Sequence, residues 1–154
     1  MKMSEAEESV SALRSGGNKM LKLIVGVKGT GKTKTLINLV NGALEVTKGD
    51  VVCVEKGMVM TYDIKPAARL ISVDEYMVTG AQALYGFIAG ILASNHDVTD
   101  LFVDGTYRIC QKDGKAFDWL LLELEKLVDQ IGLNLTMTVS VPDEDVTDTM
   151  RKFM

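Results

Sequence analysis

The chain has 154 residues, 47% of them hydrophobic, which suffices to bury one core without disulfides or a structural metal. A net charge of −4, with 25% charged residues and no basic block, argues against a nucleic-acid backbone as a main partner. The two cysteines form neither a disulfide framework nor a zinc pattern, and a reducing cytoplasm is the simplest home for them.

Residues 1–19 carry Glu5, Glu7, Glu8, several serines and the pair Gly16-Gly17, and read as a flexible leader with too little apolar content to join a core. The folded domain is expected over 20–154, and the polar, acidic start shows no signal-peptide pattern. Leu21–Val25 reads as a first strand, followed by a glycine-rich loop and a helix from Lys32 to about Thr47, with Leu36, Leu39, Val40 and Leu44 at helical spacing. Val51–Val54 is a continuous apolar run of the kind buried on both faces of a parallel sheet, and Cys53 within it reads as a small hydrophobe. Two short strands, Met58–Tyr62 and Leu70–Val73, are expected around a turn at Pro66. Gly80–Ser94 reads as a helix with Ala81, Leu84, Ile88 and Leu92 on one face and with Gly86 and Gly90 admitting a close neighbour. Its longest apolar stretch, Ala83–Ala93, falls well short of the roughly 20 residues a membrane helix needs. A strand at Leu101–Val103 ends in Asp104. An amphipathic helix over Phe117–Ile131 turns Leu120, Leu121, Leu124, Leu127, Val128 and Ile131 inward, and a strand at Leu133–Val141 stops at Pro142 before a short polar helix. Strands and helices alternate, so the expected fold class is α/β, a three-layer sandwich with a mainly parallel central sheet.

The loop Gly26-Val27-Lys28-Gly29-Thr30-Gly31-Lys32-Thr33 satisfies G-x-x-x-x-G-K-[ST] and sits between an apolar strand and a helix, where phosphate binding requires it. Glycines let successive backbone N–H groups turn inward toward phosphate oxygens, and the helix start adds its partial positive charge. On this pattern Lys32 reaches the β- and γ-phosphates, and Thr33 is the first protein ligand of a magnesium ion. Gly26, Lys28, Gly29, Thr30, Gly31 and Thr35 complete the expected nucleotide-binding set. Asp104, at the C-terminal end of an apolar strand, fits the carboxylate that holds the same ion; an ordinary strand-ending Asp is the alternative. Gly105 occupies the position where many ATPases of this superfamily carry a water-activating glutamate. Glu55, ending the second strand, is the other candidate for that base, against a solvated Glu in the turn Glu55-Lys56-Gly57. Ser140, near the end of the last strand, is a candidate for sensing the γ-phosphate. His96 reads as a loop residue, Trp119 as core or interface, and Asp74-Glu75 as a charged turn or a second acidic site. Arg108 and Arg69 are the arginines that could meet phosphate.

With the loop, the Asp104 strand and the βα order together, the chain resembles a P-loop NTPase with a RecA-like core. The glutamate of RecA-type recombinases comes from the neighbouring strand, as Glu55 would. More narrowly, Leu21–Gly26 with the loop, Val52–Gly57, Leu84–Gly90 and Phe102–Asp104 resemble short Gram-positive bacterial proteins labelled twitching-motility or pilus-retraction ATPases. That resemblance implies nucleotide binding. Two-domain pilus-retraction ATPases add aspartate- and histidine-rich boxes that a chain with one histidine lacks, so motility is not carried over.

The expected ligand is therefore ATP with Mg2+, ATP being favoured because no Asn-Lys-x-Asp guanine signature occurs. Three functions stand open: a Mg-dependent NTPase, a nucleotide-responsive regulatory module that hydrolyses little, and a small-molecule phosphotransferase. The last fits poorly with only four arginines, because such kinases clamp phosphate with several. A second copy of the chain or another protein stays open as a partner.

Overall fold

The computed structural model describes residues 20–60 and 63–154; the expected leader over 1–19 lies outside them, as do Thr61 and Tyr62. In chain order the elements are β1 (Leu21–Gly26), α1 (Lys32–Val46), β2 (Asp50–Glu55), β3 (Arg69–Ser72), α2 (Ala81–Ser94), β4 (Val98–Val103), α3 (Thr106–Ile109), α4 (Gly114–Ile131), β5 (Asn134–Ser140) and α5 (Asp148–Lys152). Short 3-10 turns at Val73–Tyr76 and Asp143–Asp145 complete the regular structure of the described residues.

The five strands form one sheet in the order β1-β5-β4-β2-β3, and every pairing is parallel. Alternate residues of each strand enter opposite layers, as the two-residue period demands. Val52, Val54, Leu101, Val103, Leu135 and Met137 join the core shared with α2, α4 and α5. Val51, Cys53 and Phe102 meet Leu36, Leu39, Val40 and Ala43 of α1 on the other face. Helices thus cover both faces of the sheet. No helix among the described residues is long and apolar enough to cross a membrane.

Strand β5, last in sequence, lies between β1 and β4, with Ser140 opposite Gly26 and Met137 opposite Val103. All strands run the same way, so Gly26, Ser140, Val103, Glu55 and Ser72 end at one rim of the sheet. In open parallel sheets this carboxyl rim is where ligands bind. Counting by twos along β2 and β4, Glu55 and Asp104 fall in phase with Cys53 and Phe102, on the α1 side. Thr138, in phase with Thr136 opposite Phe102, faces the same way.

Several expectations need correction. Met58–Met60 is not a strand: Gly57 takes a left-handed φ of 87°, turning the chain off β2, and Arg69–Ser72 pairs directly with β2 in its place. The strand carrying Asp104 begins earlier, at Val98, because the buried Asp100 inside it is satisfied by Thr99 Oγ1 at 2.8 Å and Asn134 Nδ2 at 3.3 Å. Helix α4 starts at Gly114 because the Asp113 side chain accepts the Ala116 N–H at 3.1 Å, capping the first turn. Gly86 and Gly90 face outward, with no atom within 4 Å of where a Cβ would stand, so among the described residues no element packs closely against them. Ile131 is exposed rather than core, and Trp119 is partly exposed beside Tyr85, at a ring-centroid distance of 6.0 Å. The terminal helix α5 is not wholly polar, since Met150 is buried and Phe153 just beyond it nearly so.

Candidate phosphate-binding site

The loop from Gly26 to Thr33 closes on itself. Gly29 and Gly31 hold φ values of 88° and 85°, the left-handed region that glycine enters without steric penalty. At Gly26 a Cβ would stand 2.7 Å from Thr30 Oγ1, and that hydroxyl donates to Val27 O at 2.8 Å. Gly26 and Thr30 therefore shape the loop from beneath, while Lys28, Gly29, Gly31, Lys32 and Thr33 line a cavity of about 660 Å³. The Lys32 side chain is buried against the loop, its Nζ donating to Val27 O at 2.7 Å. Burial pushes the ammonium below its ordinary pKa and the Asp104 carboxylate draws it partly back. Thr35 Oγ1 donates to Gly31 O at 3.0 Å, so Thr35 steadies the first turn of α1 from outside the cavity.

Across the cavity stands Asp104. Thr33 Oγ1 lies 3.2 Å from its Oδ2 and 3.4 Å from its Oδ1, although 71 residues separate the two in sequence. Thr138 Oγ1 donates to Asp104 Oδ1 at 2.6 Å and accepts the Gly105 N–H at 2.9 Å. Thr138 is thereby a clamp: one hydroxyl fixes both the carboxylate and the backbone turn that follows it. Its place follows from register, because β5 is the direct neighbour of β4 and Thr138 comes one residue after the Met137–Val103 pair. Ser140, two residues on, is exposed and lines the cavity, but has no hydrogen bond to Asp104.

The opening also takes in Tyr107, Arg108 and Lys112 from the segment after Asp104, and Val141 and Pro142 after β5. Lys28, Lys32, Arg108 and Lys112 set four cationic side chains against the single carboxylate of Asp104. A cavity so lined attracts an anion bearing several charges. Thr33 and Asp104 offer two oxygen donors side by side, the donor chemistry of a hard divalent cation that keeps several waters and takes further oxygens from phosphate. The residues present fit magnesium.

Glu55 is placed differently. Its carboxylate is buried, Oε2 accepts the Met60 N–H at 3.1 Å, and the side chain opens on a neighbouring hollow of about 310 Å³ between the ends of β2 and β3. Burial raises its pKa, the amides of Met60 and Val59 oppose that rise, and the charge of Asp104 adds to it. Glu55 thus feels Asp104 but does not line the phosphate cavity; the turn carrying Val59 stands at the cavity edge. The alternative of a solvated turn residue is excluded by its burial. Of the residues set aside, His96 is exposed, Arg69 lies outside the cavity, and Asp74 binds Lys56 Nζ at 2.8 Å and the Gly57 N–H at 2.9 Å. Thr138, Arg108, Tyr107 and Lys112 are the site residues that sequence reasoning missed or passed over. The alternation of polar Thr136, Thr138 and Ser140 in an apolar strand was the available signal for the first.

No protein-family model matches the chain, and no curated protein matches it either.

Proposed function

We propose that this protein binds a nucleoside triphosphate, ATP in the simplest case, together with Mg2+, and hydrolyses its terminal phosphoanhydride. The observation that carries the proposal is the meeting of Lys32, Thr33 and Asp104 in one cationic cavity at the carboxyl rim of a parallel sheet. In this reading the loop amides and the Lys32 ammonium bind the β- and γ-phosphates, moving Lys32 Nζ from Val27 O to phosphate oxygen. Thr33 and Asp104 hold the magnesium ion, which when bound offsets charge on the β- and γ-phosphate oxygens. Thr138 keeps the Asp104 carboxylate turned toward Thr33. The gain is positioning and charge stabilisation rather than covalent chemistry.

A specific observation favours a second reading, a nucleotide-responsive module with slow turnover. Glu55, the nearest candidate for activating water, is engaged by the Met60 amide and separated from the cavity by the turn at Val59. Hydrolysis would then wait on that turn releasing Glu55, and the turn would be the part that reports nucleotide. The phosphotransferase reading has no such support.

Lys32→Ala tests the binding reading. Mg-ATP affinity measured by calorimetric titration is expected to fall by at least about 100-fold, since charge-assisted contacts to two phosphates are lost. Equal affinity in wild type and variant would end the proposal.

A further inference from the structure

Strands β2 and β3 are parallel neighbours, and their register sets Glu55 opposite Ser72 and Cys53 opposite Leu70. Opposed residues of neighbouring strands turn to the same face, so Glu55, Ser72 and Leu70 share one side of the sheet. All three line the hollow of about 310 Å³ at the carboxyl ends of these strands, with Met58, Ile64 and Pro66 in its apolar wall. Lys32, Thr33 and Asp104 line the other cavity, and the two linings have no residue in common, so the hollow is a separate space.

The polar groups of the hollow are acceptors short of donors. Glu55 is 2% exposed and Ser72 8%. Ser72 stands at the N-cap of the turn Val73–Tyr76, where a serine hydroxyl ordinarily accepts a backbone N–H, yet it makes no such bond. Among the described residues that hydroxyl has no hydrogen-bond partner, and no fully enclosed side-chain oxygen or nitrogen is left unpaired, so it opens into the hollow. Glu55 Oε2 accepts the Met60 N–H at 3.1 Å and the carboxylate also meets the Val59 amide, which fills two of its roughly four acceptor positions. Glu75, exposed on the lining, makes no ion pair among the described residues. Lys65, the one cation of the lining, is turned to Glu45 at 3.5 Å. Two carboxylates and a free hydroxyl thus face a space with mostly apolar walls. An ammonium on a short aliphatic stem matches it, with three N–H donors for the oxygens and a carbon chain for Met58, Ile64 and Leu70. A bare divalent ion would need oxygens on all sides, which these walls do not supply. We propose that the hollow at Glu55 and Ser72 is a binding site for a small aliphatic amine, distinct from the phosphate cavity and independent of the nucleotide reading.

The test titrates n-butylamine into nucleotide-free protein at fixed pH, with n-butanol and butyrate as controls of the same chain length, reading Kd by ligand-observed NMR and stability by melting temperature. Butylamine is expected to raise melting by about 3–6 °C at about ten times its Kd, and the two controls by less than about 1 °C. Glu55→Gln, which keeps the shape and loses the charge, should weaken butylamine by about 10-fold or more, and Ser72→Ala by about 2- to 10-fold. Ser72→Ala removes a hydroxyl that bonds to nothing in the described fold, so its unliganded melting should match wild type and its lost affinity cannot be laid to misfolding. Equal shifts from amine and alcohol would overturn the proposal, as would butylamine affinity unchanged in both variants. Nucleotide binding without amine binding would sink this proposal alone, whereas amine binding without nucleotide binding would uphold it and sink the nucleotide reading.

Discussion

Replacing Thr138 with valine removes one hydroxyl while keeping the side chain's branched shape, so it isolates the clamp on Asp104. Two hydrogen bonds disappear: the one donated to Asp104 Oδ1 at 2.6 Å and the one accepted from the Gly105 N–H at 2.9 Å. Bonds to a charged group contribute about 1.5–3 kcal/mol and neutral ones about 0.5–1.5 kcal/mol. Asp104 and Gly105 are only partly buried, so water reaches them and the lower ends of both ranges apply, for about 2 kcal/mol in all. In a chain of this size each kcal/mol moves the melting temperature by about 2–4 °C, so Thr138→Val is expected to melt about 4–8 °C below wild type by calorimetry. Thr138→Ser keeps the hydroxyl and should recover most of the loss. A valine variant melting within about 1 °C of wild type would refute the clamp, and with it the argument that β5 orients the Asp104 carboxylate.

Two further outcomes concern Glu55. Its folded pKa is raised from 4.5, mainly by burial, so the folded state binds the proton more tightly than the unfolded chain. Its contribution to stability is therefore fully present below 4.5 and is lost as pH rises through the raised value. Urea-unfolding free energies of wild type should fall across that window relative to Glu55→Gln, which has nothing to titrate; parallel pH profiles would contradict the burial argument. In turnover assays, Glu55→Gln should depress phosphate release at saturating Mg-ATP by about 100-fold or more while leaving ATP affinity in place, and an unaffected rate would exclude Glu55 as the base.

The parts of this molecule readable from its letters are those set by local physics. Apolar runs at Leu21–Val25 and Val51–Val54 and the helical spacing from Lys32 to about Thr47 all match the observed elements within a residue or two. Strand order is not local. Nothing in the run Leu133–Val141 tells that it enters the sheet between β1 and β4, and Thr138 reaches Asp104 only because of that insertion. Ser140, the polar strand end that sequence alone offers, lies two residues along on the same face and lines the cavity, with no hydrogen bond to the carboxylate among the described residues. Glu55 stands out in sequence by its place at a strand end, yet the side chain's direction depends on the amide of Met60, in a segment whose apolar letters imitate a strand. Arg108, close after Asp104, is legible as an arginine that could meet phosphate, but nothing in sequence sets it above Arg69, because its place at the cavity depends on a left-handed turn at Gly105 that a single glycine does not announce.

Thermal shift of the purified chain with ATP, GTP, ADP and dTTP, each with and without Mg2+, tests most directly whether the loop before α1 receives polyphosphate together with magnesium, because a ligand that prefers the folded state raises its melting temperature. At about 100-fold excess over Kd the stabilisation is about 2.7 kcal/mol, so Mg-ATP is expected to raise melting by about 5–10 °C, more than ATP with chelator. An unmoved melting curve with every nucleotide at millimolar concentration would contradict the account.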